Sequence, residues 1–197
     1  IVLPNSVTHI YTQAFGNCYN LVDVDLGSGL TYIGNAAFDA CSALTSITIP
    51  DSVTFIGPAP FLACYNLANF YGAAATDDHK GLVIDNTFVS FAPAGPTEYS
   101  IPHGVTVIQD GSFNDCPKIT KVTIPAGVTE IKKNAFKGCN LSSVKFNPTT
   151  CTVGETPFYK GEGSNENLTV IHNLGNLDAN WGQMITGEGD TTMVSGT

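Results

Sequence analysis

The chain has 197 residues, enough for one domain with a substantial core, and 43% hydrophobic against 13% charged residues is a globular composition. The net charge of −9, with eight Lys and no Arg, argues against nucleic acid or an anionic membrane surface as partner, because both attract cationic protein. No apolar run approaches the roughly 18 residues needed to span a bilayer.

Along the chain, the start Ile1-Val2-Leu3-Pro4 lacks the charged and apolar regions of a signal peptide and is expected to continue a longer protein. A repeat then dominates. Phe15, Phe38 and Phe61 are spaced by 23 residues, as are Phe113 and Phe136. Cys18, Cys41, Cys64, Cys116 and Cys139 form a second column on the same step. Ile10, Ile33, Ile56, Ile108 and Ile131 form a third, and Val7, Leu30, Val53, Val105 and Val128 a fourth. Independent columns in one register identify a solenoid.

Within one unit, Leu44, Ile47 and Ile49 alternate as in a short strand, which Pro50 ends because it lacks the N–H that a ladder requires. Val53 and Ile56 form a second buried edge, and the segment leading to Phe61 is expected to make a helical turn. Neighbouring coils bury each other's apolar sides, and their strands form a parallel sheet ~4.8 Å apart. The step from Phe61 to Phe113 reads as one repeat plus 29 residues, placing an insertion at about 71–100. Inside it, Val83, Ile84, Phe88, Val89 and Phe91 flank Asp85-Asn86, the mark of a hairpin turn. The fifth unit has lost one residue, which puts the next Phe at 158, where Phe158 stands. The expectation is an α/β leucine-rich-repeat solenoid of about five and a half coils over residues 1–160. It has a parallel β-sheet face, one β-hairpin insertion and a C-terminal capping segment over 161–197.

The unit LxxVxIPxSVTxIGxxAFxxC, seen from Leu44 to Cys64 and from Ile101 to Cys139, resembles the BspA-like (Treponema pallidum-type) leucine-rich repeat of bacterial cell-surface proteins. The segment Leu82 to Pro102 is similar to a hairpin inserted in gut Bacteroides members, and Leu168-Thr-Val-Ile171 with Trp181 to their capping region. The resemblance implies a secreted or surface-attached protein with a protein-interaction role, adhesive in some members, and no catalytic residues.

The residues themselves offer little chemistry. Five cysteines fall on one column and are expected to be buried thiols. Stacked coils would bring their Cα atoms within disulfide range, but parallel side chains would hold the Cβ atoms apart. No Cys-x-x-Cys pair suggests zinc, and Cys151 has no assigned role. His9, His79, His103 and His172 are scattered, no nucleophile elbow is present, and Asp77-Asp78-His79-Lys80 reads as a charged loop tip. No catalytic, cofactor or metal site is expected.

Charge is more informative. Residues 1–79 carry six acids and no Lys. Residues 118–160 carry Lys118, Lys121, Lys132, Lys133, Lys137, Lys145 and Lys160 against Glu130 and Glu155, and 161–197 carry five acids and no base. The outward strand columns read Asp23, Ser46, Asn69, Lys121, Ser143 and Asp25, Thr48, Tyr71, Thr123, Lys145, a sheet face running from acidic to basic. That face is the candidate partner surface of a monomeric extracellular protein whose partner is a protein, host extracellular matrix included, or a glycan. Tyr19, Tyr65 and Tyr71 are candidate sugar-stacking residues for a glycan-binding accessory module. A third reading is a structural spacer that binds neither.

Overall fold

Each repeat closes one turn of a coil because its apolar columns have only neighbouring turns to bury against. The structure is a computed structural model that describes residues 1–148, 150–159, 165, 166, 168, 170–173 and 192–195. It is a solenoid of about six turns. The strand preceding the Pro column recurs as β3 (Ser46–Thr48), β5 (Asn69–Tyr71), β8 (Glu98–Ser100), β10 (Lys121–Ile124), β12 (Ser143–Phe146), β14 (Val170–Asn173) and β15 (Thr192–Ser195). The second edge recurs as β1 (His9–Ile10), β2 (Tyr32–Ile33), β4 (Phe55–Ile56), β9 (Val107–Ile108), β11 (Glu130–Ile131) and β13 (Thr152–Val153). Pairing between successive turns is parallel and in the repeat register, for example Ile10 with Ile33 and Val122 with Val144.

The α/β label needs correction, since the described residues contain no helix. Two left-handed columns in the regular turns prevent one. Two positions before the Phe, Gln13, Ala36, Ala59, Gly111, Asn134 and Thr156 have φ between 47° and 65°. Two positions after it, Asn17, Ala40, Ala63, Asp115 and Gly138 have φ between 54° and 74°. A right-handed helix cannot run through either column. The turn is held instead by its neighbour, with Phe15 N–H donating to Ala37 O and Phe136 N–H to Pro157 O.

The excursion also differs from the β-hairpin insertion expected over about 71–100. A hairpin is present: β6 (Gly81–Ile84) and β7 (Thr87–Phe91) pair antiparallel around Asp85 and Asn86, both with positive φ. Yet β7 pairs parallel with β9, Phe88 opposite Ile108, so Phe88 occupies the Ile column. Phe91 N–H donates to Ser112 O at 2.8 Å, the bond made in the Phe column by Phe15, Phe38, Phe113 and Phe136, so Phe91 occupies that column. Residues 70–100 therefore complete a turn of the solenoid, and the 52-residue step is two repeats plus six residues. This turn is two residues short between Phe88 and Phe91, and its neighbours meet across the gap. Gln109 Nε2 caps the carbonyl of Ile56 at 3.0 Å, and a Cβ on Gly111 would lie 2.9 Å from that of Ala59.

The core divides at β7. Val89 and Ala92 pack with the N-terminal cluster, and Phe88 and Phe91 with the C-terminal one. Phe rings stack along each half, 5.1 Å from Phe15 to Phe38 and 4.8 Å from Phe136 to Phe158. The cysteines serve the adjacent carbonyls: Cys41 Sγ donates to Phe15 O at 3.2 Å, Cys64 to Phe38 O at 3.0 Å and Cys139 to Phe113 O at 3.1 Å. All six are free thiols. In the next turn Asn165 takes over, its Nδ2 donating to Phe136 O at 2.8 Å while its Oδ1 accepts from Leu141 N–H.

The capping segment expected over 161–197 lies mostly outside the described residues, as do Lys160 and Trp181. Its β14 and β15 extend the sheet by parallel pairing, Val144 opposite Ile171 and Ile171 opposite Met193.

Candidate functional site

Beside the exposed Tyr19 and Tyr65, the sequence-derived candidates for a site are the outward columns of the first-edge strands, which the structure separates into three groups. Asp23 and Asp25 are exposed and lie outside the named strands, Asp25 making one bridge to Val2 and accepting from Gly27 N–H. Ser46 and Thr48 on β3 face Asn69 and Tyr71 on β5. Lys121, Thr123 and Lys145 come together with Glu98, Ser100 and Ser143 around a cavity of about 200 Å³ on the sheet of β8, β10 and β12.

The excursion divides the face. Lys80 Nζ donates to Asn69 Oδ1 at 2.6 Å and to Ala68 O at 2.9 Å, while the His79 ring lies 4.9 Å from that of Tyr71. Asp78 Oδ1 accepts from Thr76 Oγ1 and Lys80 N–H. The charged loop tip is thus tied to the sheet, and Asn69 and Tyr71 are engaged within the chain. β3 and β5 form a two-stranded sheet separate from the five-stranded one that begins at β8. Gly72, where the excursion leaves β5, has φ 100°, and a Cβ there would lie 1.9 Å from Ile49 O, so only Gly fits.

Glu98 and Ser100 did not emerge from the sequence because the 29-residue count placed them inside an insertion. The surplus of six over two repeats is the signal that would have put them in the columns. Glu98 changes the electrostatics: its Oε1 lies 2.6 Å from Lys121 Nζ, so the cationic end carries its own carboxylate. Other cations of the basic band are distributed elsewhere. Lys133 pairs with Glu155 at 3.0 Å, and that hydrogen bond raises the Lys133 pKa. Burial raises the Asp115 carboxyl, opposed by Lys137, and burial likewise raises Asp110, opposed by Lys133 and Lys132. Lys145 makes no ion pair among the described residues, and the hydroxyls of Ser100, Thr123 and Ser143 make no hydrogen bond there.

A second surface feature escaped the sequence reading. His9, Tyr32 and Phe55 share one column of the second edge and stack, with centroids 5.3 Å and 4.8 Å apart, and Tyr11 joins at 5.7 Å from His9. Their 23-residue spacing was visible, but a polar ring and two aromatic ones were not read as one column. Among the described residues no cluster of His, Cys, Asp and Glu could hold a metal ion, and no helix is long and apolar enough to cross a membrane.

The repeat architecture agrees with the sequence: residues 1–77 and 88–180 match the BspA type leucine rich repeat region in six copies, leaving the tip of the excursion and residues 181–197 unmatched. The chain belongs to the BspA-type leucine-rich-repeat family. No curated protein matches it in sequence. Solved structures do. A leucine-rich repeat protein from Bacteroides ovatus is 23% identical, with a TM-score of 0.54 over 88% of this chain and 48% of that one. A leucine rich cell surface protein from Faecalibacterium prausnitzii is 23% identical, with a TM-score of 0.52 over 95% of this chain and 62% of that one. A T. pallidum leucine rich repeat protein is 26% identical, with a TM-score of 0.55 over 85% of this chain and 77% of that one. This BspA-type chain thus spans about half the length of the Bacteroides relative. These relatives are repeat proteins, and the family is a non-catalytic one.

Proposed function

We propose that this chain is an extracellular, cell-surface interaction module of the adhesion type that engages a protein partner through the open face of β8, β10 and β12. The observation that carries the reading is the contrast between the two halves of the sheet face. At Asn69 and Tyr71 the excursion occupies the outward positions, whereas Lys145, Thr123, Ser143 and Ser100 are left with unused polar groups around a shallow cavity. Family membership supports the interaction role, and the F. prausnitzii relative, described as a cell surface protein, supports the location. The reading requires no cofactor, and the module acts as a monomer.

A glycan-binding accessory module is the second reading, favoured by the partly exposed aromatic row from His9 to Phe55. It ranks lower because the rings lie nearly parallel, 9° apart for Tyr32 and Phe55, and so spend their faces on one another. The test is capture from host extracellular matrix and mucus by the wild type and by Thr123→Arg, with glycan arrays in parallel. A matrix protein held by the wild type and lost in the variant is the expected result. Equal capture by both, or sugar binding abolished by Tyr32→Ala, would replace it.

A further inference from the structure

We propose that the cavity among Glu98, Ser100, Lys121, Thr123, Ser143 and Lys145 is a receptor for a single carboxylate of an acidic peptide, held chiefly by Lys145. The inference rests on the open-face reading and names what the face recognises. The register places Lys121 opposite Ser143 and Thr123 opposite Lys145, so the two Lys occupy diagonal corners and the two hydroxyls the others. An ammonium and neighbouring hydroxyl donors make charge-assisted bonds to a carboxylate. The chain displays half of the arrangement already: Glu98 docks on Lys121 at 2.6 Å, showing that a glutamate side chain lies comfortably on this face. Lys145 lies one strand further along in the neighbouring column, opposite Thr123, and has no carboxylate partner among the described residues.

The cavity of about 200 Å³ has room for an acidic side chain and is lined by ammonium and hydroxyl groups that suit one. A polyanion such as a sulfated polysaccharide fits poorly, since it needs a continuous track of cations. Here Lys133 is bound to Glu155, while Lys137 sits beside Asp115. An extended peptide running along the strands also matches the face, because its alternate side chains repeat at the same interval as the outward residues of each strand.

The test uses the full chain and three probes in fluorescence polarisation or direct titration: a Glu-Gly octapeptide, its Gln-Gly counterpart and sialyllactose. The Glu peptide binds, weakening with salt, and the Gln peptide does not. Lys145→Gln lowers affinity about tenfold, equivalent to about 1.4 kcal/mol, with the melting temperature unchanged because the side chain is exposed. Glu98→Gln tightens binding by releasing Lys121. Equal binding of the Gln peptide, no loss in Lys145→Gln, binding of sialyllactose alone, or no binding at all overturns the proposal. A matrix partner still lost in Thr123→Arg when the Glu peptide fails to bind would leave the open-face reading standing and remove the carboxylate receptor alone.

Discussion

Phe91 separates a solenoid turn from a surface insertion. It is 2% exposed, lies 5.0 Å from the Phe113 ring and 4.8 Å from Tyr99, and belongs to the C-terminal cluster. Phe91→Ala removes a fully buried aromatic, a change that costs about 3–5 kcal/mol. Against a typical domain stability of about 5–15 kcal/mol that is a large fraction. Because stability in a stack is a sum of turns and their interfaces, the loss concentrates at one junction. Phe91→Ala is therefore expected to split urea unfolding into two steps. Hydrogen-exchange protection should fall first over 98–146, while 30–70 stays protected. A loss below about 1 kcal/mol, with a single transition retained, would show that β7 is a flank decoration and refute its place in the stack.

Other substitutions probe the turns and the ladder. Ala36, with φ 48°, should gain up to about 1 kcal/mol on Ala36→Gly, since a left-handed Ala costs about 1–2 kcal/mol and the added chain entropy offsets only part of that. In a helix the same change would cost about 1 kcal/mol, so the sign in a thermal melt decides between the two. Cys64→Ala removes one of the two donors on the Phe38 carbonyl, which keeps the Cys41 N–H, and should cost about 0.5–1.5 kcal/mol, with Cys64→Ser recovering part of it because the hydroxyl still donates. Burial raises the Asp115 carboxyl, so the folded state holds that proton more tightly than the unfolded chain does. Its favourable contribution is present below the ordinary carboxylate range and is lost as pH rises through the raised value. Asp115→Asn should accordingly be more stable than the wild type at neutral pH and indistinguishable from it near pH 3, in melts across that range.

The columns were legible because burial repeats: Phe, Cys, Ile and Val each face the same neighbour one turn away, so selection for packing leaves a 23-residue signature. The deletion that put Phe158 in register was readable for the same reason. The turn conformation was not, because Ala36, Ala40, Ala59 and Ala63 are ordinary helix formers with a left-handed backbone, which at Ala36 and Ala40 is held by hydrogen bonds to the next turn. The irregular turn was hidden because Phe88 stands in the Ile column and Tyr99 in the Val column of the strand, while two residues are missing between Phe88 and Phe91. Lys121 and Lys145 were placed on the sheet face by alternation alone, but Glu98, and the occupation of Asn69 and Tyr71 by Lys80 and His79, depended on the path of the excursion.

Hydrogen exchange on the chain with its captured matrix partner tests the central claim most directly. Added protection over 98–100, 121–124 and 143–146, with none over 9–11, 32–33 and 55–56, is the result expected of a face that binds between Glu98 and Lys145. Protection confined to the aromatic row from His9 to Phe55 would contradict it and move the binding surface to the second edge of the solenoid.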